Sequence, residues 1–170
     1  MADAKQGDAF IQHEFDEAIA VQQAIVDAGR VLAESHPLKE AQDAIGRMTK
    51  DDEKCLRQLQ QLGKKFGATG KAEEVAGAMQ ELSQTTTKSA EEAPSEAYEA
   101  HAVLLTMLRK QQDSSSAMVK IAQEMDDRET KEAATEMQKQ IKTEADELSK
   151  LLSQFAVQIA TKQVQTAGAR

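Results

Sequence analysis

The chain has 170 residues, of which 40% are hydrophobic and only 3% aromatic, with no Trp and two prolines. This length fits one domain, residues 1–170, and the composition is typical of an all-helical protein. The net charge of −8 argues against nucleic acid and anionic lipid as partners. One cysteine cannot form an intramolecular disulfide, no apolar run approaches the ~20 residues of a membrane span, and no signal peptide is recognisable. We therefore expect a cytoplasmic protein.

The first two predicted helices form a hairpin over residues 8–66. Apolar residues recur at alternating spacings of three and four, which places one stripe along one face of each helix. Proline disfavours helix in the residue before it, so Pro37 separates the two helices, and the second ends before Gly67. The short link between them predicts an antiparallel pair.

Residues 71–94 differ in character from the hairpin. Val75, Met79 and Leu82 can form a short amphipathic helix, whereas the threonines at 85–87, Ser89 and the pair Ala93-Pro94 favour a break. We predict a long crossover that contains a short helix.

A second hairpin is predicted over residues 95–162, with a turn at 126–128, followed by a disordered tail over 163–170. The two hairpins resemble each other in sequence. When they are aligned, the residues around Gln22 are like those around Gln111, and Asp52 corresponds to Glu144. We therefore predict an internal duplication.

A polar layer interrupts the apolar stripes midway along the predicted helices. It consists of Gln22, Asp52, Cys55, Gln111 and Glu144. Buried polar groups cost free energy unless they are satisfied, so the layer is either a site or a structural device that fixes helix register. Two carboxyl groups facing each other in a low-dielectric interior are expected to have raised pKa values and to share a proton.

Two hairpins joined by one crossover, with polar residues at mid-helix, resemble the ferritin-like four-helix bundles. The segment from 38 to 63 looks most like the uncharacterised bacterial ferritin-like families, whose role is commonly taken to be stress-related. The resemblance implies an antiparallel four-helix bundle, with one metal-binding Glu on the first and third helices and a Glu-x-x-His pair on each of the others.

The ligand positions implied by the resemblance hold different residues in this chain. Gln22 (or Gln23) and Gln111 (or Gln112) stand where single Glu ligands are implied, and the paired positions read Asp52-x-x-Cys55 and Glu144-x-x-Glu147. A di-iron centre needs several carboxylates to neutralise its charge and imidazoles to complete its coordination. We therefore expect no cofactor. The alternative is iron or another divalent metal held by Asp52, Cys55, Glu144 and Glu147.

Three functional hypotheses remain open from the sequence. The first is a non-catalytic ferritin-like bundle that acts through protein contacts or self-association. The second is a divergent metal-dependent oxidase or metal-storage protein, and the third is an exchangeable lipid-binding bundle. The histidines support none of them directly, because His13 and His36 are predicted to lie at the surface and His101 in a capping layer of the core.

Overall fold

The computed structural model describes residues 2–71 and 74–162, with side chains from residue 7 onward. Over these residues the chain is entirely helical and contains no strand. The helices are α1 (Ala2–Ser35), α2 (Lys39–Gly63), α3 (Val75–Ser89), α4 (Pro94–Glu124) and α5 (Arg128–Ala160), and a 3₁₀ turn at Lys64–Phe66 follows α2. Within this part of the chain, none of the helices combines the length and the apolarity that crossing a bilayer requires.

The four long helices contact one another in a closed ring. α1 packs against α2, α2 against α5, α5 against α4, and α4 against α1. The shorter α3 packs against α1 and α4. The centre of the ring is filled by aliphatic side chains together with Phe155, which is fully buried.

The helix boundaries differ little from the predicted ones. α1 begins at Ala2 rather than near residue 8, and α2 ends at Gly63, because the last predicted turn is a 3₁₀ turn. The predicted tail over 163–170 lies outside the described residues.

The predicted break is present at 90–93, between Ser89 and Pro94, but not at the threonines, because α3 continues through them to Ser89. The hydroxyls of Thr85, Thr86 and Thr87 bond to backbone carbonyls one turn earlier in the same helix, at distances of 2.7–2.9 Å. Threonine hydroxyls satisfied in this way are compatible with a helix.

A carboxylate of α1 bonds to the backbone of the loop between α2 and α3. Gly67 and Gly70 have φ of 77° and 75°, which favours glycine. Oδ1 of Asp16 accepts hydrogen bonds from the backbone N–H groups of Thr69, at 2.6 Å, and Gly70, at 2.7 Å. Asp16 therefore holds the start of the crossover against α1.

Candidate functional site

All five residues of the predicted polar layer are buried. Their exposed fractions are 0% for Gln22, 3% for Asp52, 5% for Cys55, 0% for Gln111 and 6% for Glu144. The helical stripe pattern therefore identified inward-facing polar residues on α1, α2, α4 and α5.

Gln22 and Asp52 form the direct bond of the layer between α1 and α2. Nε2 of Gln22 donates to Oδ1 of Asp52 at 2.8 Å. A buried polar pair that satisfies each other's hydrogen-bonding groups costs far less free energy than two unpaired groups. The bond also fixes the position of α1 along α2 at this level.

The two buried carboxyl groups hold their protons more tightly than they would in water. Burial raises the pKa of Asp52 to about 7, although the hydrogen bond from Gln22 opposes the shift. Burial, and then the charge of Asp52, raise the pKa of Glu144 to about 8. A low-dielectric interior disfavours the charged form of each carboxyl, so the pair binds protons near neutral pH.

Cys55 and Glu144 are linked through Gln140, which was not among the predicted residues. The Cys55 thiol donates to Oε1 of Gln140 at 3.5 Å, and Nε2 of Gln140 donates to Oε1 of Glu144 at 2.9 Å. Burial, followed by the charge of Asp52, raises the pKa of the Cys55 thiol to about 12. The thiolate is the nucleophilic and metal-binding form of cysteine, so these surroundings keep Cys55 unreactive.

Gln111 is bonded separately from the other layer residues. Its Nε2 donates to the backbone carbonyl of Ala18 at 3.1 Å and lies 3.8 Å from Sδ of Met137. Ala18 stands one turn before Gln22 on α1, so Gln111 meets α1 a turn away from the Gln22–Asp52 bond.

Three buried oxygens of the layer accept no hydrogen bond from the residues that the structure describes. They are Oε1 of Gln22, Oε1 of Gln111 and Oε2 of Glu144. A protonated carboxyl group is a donor as well as an acceptor, so the neutral form of Glu144 has a hydrogen to offer. The arrangement favours that neutral form.

The structure does not bring Glu147 into the layer. Its Oε1 receives a hydrogen bond from Nη2 of Arg47 at 3.0 Å, and its side chain is 44% exposed. Among residues 2–71 and 74–162, the only group of three ligand atoms within 4.8 Å of one another is at His13, Glu14 and Glu17 on α1. The donor set of the layer, which includes two amides and lacks imidazole, does not fit a di-iron centre.

The cluster on α1 is engaged with a lysine of α4. Nε2 of His13 lies 3.7 Å from Oε1 of Glu17, and Nζ of Lys110 donates to Oε2 of Glu17 at 3.0 Å. His13 is exposed, as its position near the helix end predicted. Glu17 and Lys110 tie α1 to α4.

His36 is fully buried, so the prediction that it lies at the surface is wrong. The backbone N–H of His36 donates to the carbonyl of Leu32 at 3.0 Å, which continues the hydrogen bonding of α1 past its last residue. The ring packs against Phe155, with centroids 4.7 Å apart. The turn at Pro37 therefore directs this histidine into the core.

The two buried histidines form a continuous hydrogen-bonded chain. The backbone N–H of Leu38 donates to Nδ1 of His36 at 3.0 Å, Nε2 of His36 lies 3.1 Å from Nδ1 of His101, and Nε2 of His101 lies 3.1 Å from the Leu148 carbonyl. A carbonyl can only accept, so His101 donates from Nε2 and its Nδ1 accepts from His36. Each ring nitrogen is used once.

This chain requires both imidazoles to be neutral. Burial, and then the neighbouring His101, lower the pKa of His36 to about 4. Burial lowers the pKa of His101 to about 4 as well. A second proton on either ring would set two N–H groups, or an N–H group and a backbone donor, against each other.

The comparisons with known proteins give no match: no family model, no curated protein and no solved structure matches this chain.

Proposed function

We propose that this chain is an antiparallel four-helix bundle of the ferritin-like type, with no catalytic centre, and that it acts through contacts with other proteins or with its own copies. The closed ring of long helices supports the fold. So do its cross-links, because Arg30 contacts Glu53 whereas Gln12 contacts Gly67, so that α1 and α2 run in opposite directions.

The pairs α2–α5 and α4–α5 follow the same rule, since in the second of them His101 contacts Leu148 whereas Ser116 contacts Gln138. Between α2 and α5, Arg47 pairs with Glu147, whereas Lys65 pairs with Glu129. Late residues of one helix thus meet early residues of its neighbour. α3 then spans the molecule from the end of α2 to the start of α4, two long helices that run in the same direction. This is the role of a crossover in a ferritin-like bundle.

The hydrogen bonding of the polar layer is the observation that supports the non-catalytic proposal. Asp52 is bonded to Gln22, and Cys55 is kept as a thiol. Glu147 is paired with Arg47 away from the layer. Three buried oxygens aside, the donors of the layer are used in bonds to neighbouring side chains or to the backbone, and within the described residues the layer does not form a cluster of ligand atoms.

Elemental analysis of protein purified without chelator tests this proposal. We expect iron, manganese and zinc each well below one equivalent per chain, because the layer lacks the carboxylates and imidazoles that would hold a metal pair. A full pair of iron ions per chain, with the absorption band of an oxo bridge, would contradict the non-catalytic function.

One observation favours divalent metal binding as a second candidate function. The three buried oxygens on Gln22, Gln111 and Glu144 have no donor among the described residues, and a cation is one way to satisfy such oxygens. Stoichiometric metal that is lost in both Glu144→Gln and Asp52→Asn, but retained in the exposed variant Glu147→Gln, would support this candidate.

A further inference from the structure

Two large apolar side chains of α3 are exposed. Val75 is 52% exposed and Leu82 is 53% exposed, although both belong to the apolar stripe of the predicted amphipathic helix. The buried positions of the helix are Ala76, Ser83 and Thr87. α3 therefore turns these residues and the half-buried Met79 towards the rest of the molecule, and it exposes the side chains of Val75 and Leu82.

The outward residues are spaced like one half of a two-helix seam. Val75, Ala78, Leu82 and Thr85 follow one another at intervals of three, four and three residues, and all four are exposed. We name them the α3 seam. Alternating three- and four-residue spacing is the pattern by which one helix packs along another at a shallow angle.

The charges that flank the α3 seam are complementary to those of a second, reversed copy. Glu74 lies at the start of α3 and Lys88 near its end, both on the same flank and both exposed. Neither forms an ion pair with another residue in the described ranges. They are about 21 Å apart along the helix, at about 1.5 Å per residue, so they cannot pair within one chain.

We infer that the α3 seam is the contact by which two copies of this chain associate, with their α3 helices antiparallel. In that arrangement Ala78 faces Leu82 of the second copy, and Val75 faces its Thr85. Glu74 of each copy then meets Lys88 of the other. The inference rests on the proposed function and names the partner as a second copy.

The α3 seam is short, so the dimer is a weak one. Glu81 lies midway between Glu74 and Lys88 on the same flank, and in the antiparallel pair it faces its own counterpart. This contact between like charges opposes association. It also provides a variant, Glu81→Gln, that should strengthen the dimer while leaving the apolar contacts unchanged.

Sedimentation velocity of the full chain, from about 10 μM to about 500 μM, tests the inference at the affinities that short interfaces give. The sedimentation coefficient should rise with concentration towards that of a dimer. Leu82→Glu should raise the dissociation constant about tenfold or more, because it places a charge in the centre of the contact. Val157→Glu is the matched control, since Val157 is 61% exposed on α5, and it should leave the constant unchanged.

A charge exchange tests whether the partner is a second copy in the antiparallel direction. Lys88→Glu should weaken association about threefold, as expected for an exposed ion pair that occurs twice in the dimer. Adding Glu74→Lys should restore it, because the two charges meet only between chains. Circular dichroism of each variant checks that the helices remain formed.

The possible failures are distinguishable. A chain that stays monomeric at about 500 μM, where a micromolar dimer is populated, would overturn both the inference and self-association as the proposed function. A dimer whose dissociation constant is unchanged by Leu82→Glu would overturn the inference alone and leave self-association through another face. A dimer that Leu82→Glu breaks, but that the charge exchange does not restore, would overturn the antiparallel arrangement.

Discussion

At the scale of single residues, the hydrogen bond from Gln22 to Asp52 decides how the polar layer responds to mutation. From the sequence alone, replacing Asp52 by Leu is expected to stabilise the fold, because a buried carboxyl group is costly. The structure places the Gln22 amide 2.8 Å from that carboxyl. Removing the acceptor would leave a buried N–H group without a partner, which reverses the expected sign.

We therefore predict opposite effects for two substitutions of Asp52. Asp52→Asn keeps an acceptor oxygen and removes the ionisation, so it should raise the free energy of unfolding by about 1–3 kcal/mol more at pH 8 than at pH 5. Asp52→Leu should be less stable than Asp52→Asn by about 1–3 kcal/mol. Urea denaturation at both pH values measures this. Equal stability of the two variants would mean that the bond to Gln22 contributes nothing.

The hydrogen bonds of His36 and His101 lead to a second prediction at the scale of single residues. His36→Leu and His101→Leu should each lower the free energy of unfolding by about 1–3 kcal/mol, because each leaves a buried group of the other histidine unpaired. The double variant should cost less than the sum of the two by at least ~1 kcal/mol, since it removes both partners. A double-mutant cycle by denaturation measures the coupling. Strictly additive losses in the free energy of unfolding would contradict a hydrogen bond between the two imidazoles.

At the scale of helices, the alternation of three and four predicts α1, α2, α4 and α5 well, because a continuous apolar stripe along a long helix has one way to be buried. The orientation of α3 could not be predicted in this way. Its neighbours α1 and α4 accept only small side chains at Ala76, Ser83 and Thr87. Close packing against two helices outweighs the burial of two larger aliphatic residues.

The site was predictable to a similar extent. Inward-facing positions follow from periodicity, which identified Gln22, Asp52, Gln111 and Glu144. Pairing does not follow from periodicity, so Gln140 was missed. The burial of His36 depends on a turn rather than on a repeating pattern, and only the position of His101 on the stripe of α4 pointed to a polar core at that end.

The loop that begins the crossover should depend on one carboxylate of α1. Asp16→Ala removes the acceptor for two backbone N–H groups, at Thr69 and Gly70, and should lower the free energy of unfolding by about 1–3 kcal/mol. Limited proteolysis should then cut first at 67–70. Asp8→Ala, at an exposed position of the same helix, is the control. Unchanged cleavage in Asp16→Ala would show that the loop is held by other contacts.

At the scale of the whole molecule, the two groups of buried titratable residues act on stability in opposite directions. The folded pKa values of His36 and His101 lie below the ordinary histidine pKa of about 6.5. Their contribution is therefore complete above pH 6.5 and is lost as the pH falls towards 4. Asp52 and Glu144 have raised folded pKa values. Their contribution is complete in acid and is lost as the pH rises towards 7 and 8.

We predict that these contributions largely cancel between about pH 4.5 and 6.5, and that stability falls by about 1–3 kcal/mol from pH 6.5 to 8.5, where only the carboxyl groups titrate. Thermal denaturation across this range measures the profile. Asp52→Asn with Glu144→Gln should abolish the fall above pH 6.5 and expose a rise from pH 4 to 6.5. A parent protein whose stability is level up to pH 8.5 would contradict the raised pKa values.

The histidine chain also gives one backbone amide an unusual dependence on distant structure. The N–H of Leu38 lies between α1 and α2 and donates to His36, whose ring is connected through His101 to the carbonyl of Leu148 on α5. Amides in turns commonly exchange with solvent through small local openings. This amide can be released only when the imidazole moves, so it should exchange with deuterium as slowly as the cores of α4 and α5. Its exchange rate would then report how often this end of the molecule opens.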